Sequence, residues 1–322
     1  MLNSILFISK TLLVQCGVPQ GSILGPLLFL IYINDLAHVS PKLFSILFAD
    51  DSNFFYTNKN TDTLFNTVNN ELEKIVDWLH ANKMSLNVDK THYIVFTMPG
   101  KCVPRNHDVF ICGNKLLEVT STKFLGVIKD RNLTWKFHID HLCTKVAKNI
   151  GIMRKLRRVL DVQTMTTMYY SFIYPYFNYC IHVWGSTYQT YLNKVLLLQK
   201  RVLRIICGVD HRSPSNPLFS SLGLLDINKL YSYNIGLMMY KFHHHKLPTF
   251  FSSFFVKNSE IHNYMTRQSN LLHIPQFRTE LGKRSFRYKA VGIWNEIYGS
   301  MPSVDIAVST FKIHLKKYLI RN

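Results

Sequence analysis

Residues 43–56 read Leu-Phe-Ser-Ile-Leu-Phe-Ala-Asp-Asp-Ser-Asn-Phe-Phe-Tyr, two short apolar runs around a polar tip. That pattern predicts an antiparallel hairpin. The tip carries adjacent carboxylates, Asp50 and Asp51. Hairpin tips favour Asn-Gly or Asp-Gly, and neighbouring carboxylates repel when ionised and unpaired. The apolar flanks predict buried strands, so hydration alone is an incomplete remedy. A divalent cation resolves the conflict. Mg²⁺ takes carboxylate and phosphate oxygens in octahedral geometry. Two such ions about 4 Å apart stabilise both the attacking and the leaving oxygens of a phosphoryl transfer. A polar turn that happens to be acidic is the competing reading of the pair by itself.

The rest of the chain supplies context. Residues 12–21 read as a strand entering a turn, and an apolar helix is expected over 27–36 with Ser22 as a possible N-cap. Being apolar almost all round, that helix is expected to be deeply buried. Residues 62–80 have Leu64, Val68, Leu72, Ile75, Val76 and Leu79 at three- and four-residue spacing, which predicts an amphipathic helix. A strand follows at 92–97, then a hairpin (109–112 and 115–119 around Gly113-Asn114), then a short strand at Phe124–Ile128 broken by glycine. From about residue 137 the pattern turns helical and basic. Leu142, Val146, Ile150, Met153, Leu156 and Leu160 make one stripe, and a second helix covers 190–207 with Gly208 as its C-terminal cap. The expected division is 1–136, mixed strand and helix, and 137–322, mostly helical.

Charge divides the same way. The chain of 322 residues has a formal net charge of +19. Residues 1–100 carry 6 Lys/Arg against 8 Asp/Glu, and the remainder carries 32 against 11. So the front holds acidic chemistry and the back a basic surface, which implies a polyanionic partner, nucleic acid or an acidic membrane. The six cysteines include no C-x-x-C pair, which argues against a zinc finger and predicts reduced thiols inside the cell, in nucleus or cytoplasm. His243, His244 and His245 are adjacent, with no second ligand cluster nearby, which predicts a solvated basic run. The apolar run Ile23 to Ile33 is too short to span a membrane, and the N-terminus lacks a secretion signal.

Several ordered blocks then converge. Gly17-Val18-Pro19-Gln20-Gly21-Ser22-Ile23-Leu24-Gly25-Pro26 precedes Phe48-Ala49-Asp50-Asp51. Trp78-Leu79, Asn82-Lys83-Met84-Ser85-Leu86-Asn87 and Lys90-Thr91 follow. Next come Phe124-Leu125-Gly126-Val127, Leu133-Thr134-Trp135 and His138. Leu198-Gln199-Lys200-Arg201, Trp294-Asn295 and the stretch from Phe311-Lys312 to Tyr318-Leu319 complete the order. Together these resemble the reverse transcriptases of non-LTR, LINE-like (jockey-type) retrotransposons, over nearly the whole chain.

The resemblance implies an α+β fold: the C-terminal half of a polymerase palm, an antiparallel sheet with helices, over 1–136, followed by a helical thumb and C-terminal region. It implies nucleotidyl transfer with two Mg²⁺, an RNA template, a DNA primer and deoxynucleoside triphosphates. Asp50 and Asp51 match the metal-binding aspartates. Pro19, Gln20 and Gly21, with Phe48 and Ala49, match the parts that contact template and incoming nucleotide. Lys90 matches a lysine that protonates departing pyrophosphate, a role suited to an ammonium near developing charge. An ordinary surface lysine accounts for it equally well. Phe124, Leu125, Gly126 and Val127 match the grip on the primer end, although plain core packing explains their apolar character too. The departures are Ser52, where threonine is common, and Lys129, at a usually apolar position. The family also places a further metal-binding aspartate and a fingers subdomain upstream. Met1 to Gly17 contain no Asp or Glu, so an N-terminally truncated chain with an incomplete two-ion site and little activity is expected. The alternative is a non-catalytic RNA- or DNA-binding protein that stacks bases on Tyr169, Tyr170, Phe172, Tyr174, Tyr176 and Phe177. A weaker third reading lays the basic helix at 142–160 on a membrane surface.

Overall fold

The computed structural model describes Val18, residues 21–98, Gly100, and residues 107–261, 268–301 and 304–321. The strand expected over 12–21 therefore falls almost wholly outside the described residues, as do Pro19 and Gln20. The fold is a helix-rich α+β arrangement with small sheets. The described residues form two compact units. One holds those up to Val95 together with 107–119; the other holds Phe96–Gly100 and everything from Thr120 onward.

The first unit runs α1 (Leu24–Ile33), a 3-10 turn (Asn34–His38), β1 (Phe44–Phe48), β2 (Asp51–Phe55), α2 (Thr61–Ala81), β3 (His92–Tyr93), β4 (Phe110–Ile111), β5 (Asn114–Lys115) and β6 (Leu117–Glu118). Its spine is α2. Asn60 caps it by accepting the Thr63 N–H at 2.9 Å. One stretch of its apolar stripe, Phe65 and Leu72, packs with Val109, Ile111 and Leu116. The next, Ile75 and Leu79, packs with Ile33 and Leu36. Glu71, on the same helix, is buried but well partnered. It accepts from the Ser40 hydroxyl at 2.7 Å and the Lys74 ammonium at 2.8 Å. Lys74 first, then Ser40, holds this carboxyl below the usual carboxylate range. Ser40 Oγ also accepts the Leu43 N–H at 3.1 Å, which fixes the entry to β1.

Three expectations need correction here. The apolar helix begins at Leu24, three residues early, because Ser22 Oγ accepts the Gly25 N–H at 3.1 Å. It is not deeply buried: Ile33 is the buried residue of α1, whereas Leu24, Leu27, Leu28, Leu30 and Ile31 are exposed. An all-apolar sequence states what a helix would gain from cover, not whether cover is present. Second, the strands do not merge into one antiparallel sheet. Among the described residues they form four two-stranded ladders, β1-β2, β3-β6, β4-β5 and β7-β8, of which β3-β6 is parallel. The strand expected over 92–97 is only two residues long. Tyr93 bonds to Val119, but Thr97 donates instead to the Arg131 carbonyl. Third, the turn between β4 and β5 is Cys112-Gly113, both left-handed (φ 49° and 74°), and Asn114 belongs to the strand.

The second unit begins with β7 (Ser121–Phe124) and β8 (Val127–Asp130). Helices follow: α3 (Lys136–Leu156), α4 (Val162–Phe172), α5 (Tyr174–Asn178), α6 (Ile181–Trp184), α7 (Gln189–Cys207), α8 (Asn216–Ser221), α9 (Ile227–His243), α10 (Asn258–Ile261), α11 (Glu280–Lys283), α12 (Phe286–Ser300) and α13 (Val308–Arg321). One large core joins them, with Val146, Trp184, Val195, Val202, Ile235 and Phe311 inaccessible to water. Some of its buried polar groups find partners inside it, although Gln199 Oε1 and the Tyr231 hydroxyl do not. Gln199 donates to the Leu225 carbonyl at 2.8 Å and the Tyr169 hydroxyl at 3.2 Å, and the Trp184 indole donates to the Tyr179 carbonyl at 2.8 Å. Gly208 caps α7 in the left-handed region, as its position predicts (φ 67°). Leu142, Val146, Ile150 and Met153 of the basic helix face this core, so the apolar face that membrane contact would need is occupied. Leu160 lies beyond the helix end at Leu156. Among the described residues no helix is long and apolar enough to cross a membrane.

Candidate active site

β1 and β2 pair in register from Phe44↔Phe55 to Phe48↔Asp51, which leaves Ala49 and Asp50 as a two-residue turn. Ala49 takes φ 50°, a left-handed conformation that a side chain disfavours. The turn throws Asp50 and Asp51 to the end of the ladder, both exposed, next to an exposed Phe48. β1 alternates between exposed and half-buried, β2 passes from exposed at Asp51 and Ser52 to half-buried from Asn53 on, and the two are not the buried pair expected from their composition. Repulsion between the two carboxylates is therefore eased by water, and the case for a cation rests on their adjacency and hard oxygen donors. That donor set fits Mg²⁺.

The other expected residues are spread over both units. Gly21 has φ +87° and nothing within 4 Å of where a Cβ would sit, so backbone conformation rather than crowding requires glycine there. Lys90 ends a 3-10 turn (Val88–Lys90) held by Asn87, whose side chain accepts the Lys90 N–H at 3.2 Å. Its side chain is exposed, and among the described residues no ion pair joins it to Asp50 or Asp51.

Phe124 to Val127 is not one broken strand but a hairpin turn. Phe124 pairs with Val127, and Leu125 and Gly126 form the two-residue connection with φ 44° and 83°. Two successive left-handed residues suit such a turn. The Tyr179 hydroxyl donates to the Leu125 carbonyl at 2.6 Å, and a Cβ on Gly126 would sit 3.2 Å from the Tyr179 ring. Val127 is buried. The unusual Lys129 places its ammonium 4.0 Å from the centre of the Phe124 ring, and burial lowers its pKa. A cation–π contact thus accommodates a charge where an apolar residue was expected.

Beside this turn lies Asp130, which no motif marks. It is buried, and its carboxylate accepts N–H bonds from Trp135 (2.7 Å), Thr134 (3.0 Å) and Asn132 (3.2 Å), plus the Thr134 hydroxyl. These hold the loop in which Leu133 and Trp135 are left-handed and from which α3 springs. Thr187 and Arg284 add bonds to the Thr134 and Leu133 carbonyls. His138, on the first turns of α3, is buried against Trp184 and accepts weakly from the Ile128 N–H (3.4 Å). Burial pushes its imidazole down to about 4, with the nearby His141 contributing. Of the aromatics considered for base stacking, Tyr169 and Phe177 are core residues, whereas Tyr170, Phe172 and Tyr176 are exposed.

The family described as "Reverse transcriptase (RNA-dependent DNA polymerase)" matches residues 4–129, the stretch that contains the aspartate turn. The chain is similar to the probable RNA-directed DNA polymerase from transposon X-element of Drosophila melanogaster, 28% identical over 205 residues, 61% of this chain and 22% of that relative. It is similar as well to the RNA-directed DNA polymerase from mobile element jockey of Drosophila funebris, 29% identical over 210 residues, 62% of this chain and 23% of the relative. The probable RNA-directed DNA polymerase from transposon BS of Drosophila melanogaster is 24% identical over 220 residues, 65% and 24% of the two chains. The chain thus spans less than a quarter of the length of these relatives. No solved structure matches it. Residues 4–129 accordingly match a reverse transcriptase domain, and the chain is homologous in part to the RNA-directed DNA polymerases of the X-element and jockey mobile elements.

Proposed function

We propose that the chain is a portion of an RNA-directed DNA polymerase of a mobile element, with palm residues over 1–136 and thumb residues over 137–322. One observation carries this reading: two adjacent, exposed aspartates at the tip of a tight hairpin, inside the segment that matches the family. Asp50 and Asp51 would hold divalent metal. A bound ion supplies positive charge to the attacking hydroxyl and the departing pyrophosphate. Gln20 and Gly21 contact the template–nucleotide pair, Lys90 neutralises pyrophosphate, and the Leu125-Gly126 turn steadies the primer end. The basic remainder of the chain holds the nucleic-acid backbone.

Mn²⁺ binding, read by electron paramagnetic resonance with and without a template–primer duplex, tests the site without relying on turnover. The expected result is Mn²⁺ binding that the duplex strengthens and that Asp50→Asn/Asp51→Asn removes. Binding indifferent to that double substitution, or vigorous extension that survives it, overturns the proposal.

A further inference from the structure

His243 and His244 close α9, and the chain returns to them 62 residues later. Asp305 Oδ1 lies 3.1 Å from His243 Nε2, and one donor atom from each of His243, His244 and Asp305 falls within 4.8 Å of the others. The histidine run is thus not merely a solvated basic stretch. His243 and His244 are half-buried among Tyr240, Trp294 and Tyr298. We propose that His243, His244 and Asp305 form a site for a borderline divalent cation of the Zn²⁺ type, distinct in place and chemistry from the aspartate turn.

Four features converge on this. Two imidazoles and one carboxylate suit Zn²⁺ or its neighbours in the transition series and discriminate against Mg²⁺, which prefers oxygen throughout. An isolated ion pair between His243 and Asp305 would need no second imidazole beside it, and two protonated rings there would repel. The rings stand at the C-terminal end of a 17-residue helix, where the helix dipole favours a cation. Finally, His244 Nε2 lies 3.2 Å from the Val304 carbonyl, the kind of oxygen to which a metal-binding histidine donates its second ring N–H.

Donor atoms around tetrahedral Zn²⁺ stand roughly 3.3–3.5 Å apart, given bonds of about 2.0–2.2 Å. The cluster therefore tightens by about an ångström on loading, a shift within reach of the exposed Asp305 side chain (74% accessible). Water completes the coordination. The ion would fasten residues 304–306 to the end of α9, where the Tyr240 hydroxyl already donates to the Ile306 carbonyl. Those residues lead directly into α13.

The full chain, stripped of metal and held in excess Mg²⁺, is titrated with Zn²⁺ against a chromophoric chelator. Co²⁺ substitution then reports the donor atoms by absorption. One equivalent should bind, with Co²⁺ bands free of thiolate charge transfer. Asp305→Ala, at an exposed position, and His244→Gln should each weaken it by at least about tenfold. Zn²⁺ should also raise the melting temperature of the parent chain but not of Asp305→Ala. Failure to bind in excess Mg²⁺, binding undiminished in both variants, or a thiolate signature placing the ion on cysteine overturns the proposal.

Discussion

Asp130 is the residue on which most local order depends. Its carboxylate is the shared acceptor for three backbone N–H groups in a loop with two left-handed residues. Removing it leaves half-buried donors without partners, at about 1–3 kcal/mol each at most. Asp130→Ala should therefore lower stability by about 2–4 kcal/mol in urea unfolding, with Asp130→Asn intermediate. Gly126 carries a different constraint: φ 83° and the Tyr179 ring 3.2 Å from its missing Cβ. Gly126→Ala should cost about 1–2 kcal/mol. His138 sets an acid sensitivity. Its folded pKa of about 4 lies below the ordinary 6.5, so between those values the unfolded chain binds a proton that the folded chain does not. Stability then falls as pH drops from 6.5 to 4, by at most about 3 kcal/mol. His138→Gln should flatten the difference between urea midpoints measured at pH 7 and pH 4.5. None of these roles has a sequence signature. The partners of Asp130 are main-chain groups, and the neighbour of Gly126 is a tyrosine more than fifty residues away.

Helices were readable where spacing carried the information. The stripes of α2, α3 and α7 repeat at three and four residues; α2 and α7 form within a residue of their expected bounds, whereas α3 stops at Leu156, short of Leu160. The hairpin was legible because two apolar runs flank a polar tip, although its two-residue turn is Ala49-Asp50 and Asp51 pairs with Phe48. α1 shows where such reading stops. Its exposed Leu27, Leu28, Leu30 and Ile31 form a contiguous apolar surface, of a kind that promotes association. Leu30→Glu with Ile31→Lys should leave stability within about 0.5 kcal/mol while reducing self-association in light scattering. A loss of stability would show instead that this face is covered within the monomer. Ladder pairing was the least legible level, because strands of two residues hold too few side chains to display a period.

Across the whole molecule the two units differ in how much apolar surface they bury. Small clusters around Phe65 and Ile75 support the first, whereas a single core from Ile139 to Leu315 supports the second. Hydrogen exchange should accordingly be slowest in α3, α7 and α9 and faster in β1, β2 and α1, and denaturant unfolding should depart from a single transition. Under the proposed function, the net charge of +19 would make template–primer affinity steeply salt-dependent. A loss of about a hundredfold or more is expected in filter binding between ~50 and ~200 mM salt. One residue links the finest of these scales to the coarsest. Tyr179 offers its hydroxyl to the Leu125-Gly126 turn and its carbonyl to the indole of the inaccessible Trp184. A load applied at that turn is therefore borne by the helical interior rather than absorbed by a pliant β-ribbon. The hairpin acts as the exposed end of a stiff strut, and severing the strut with Tyr179→Phe would let its tip yield while every helix stayed folded.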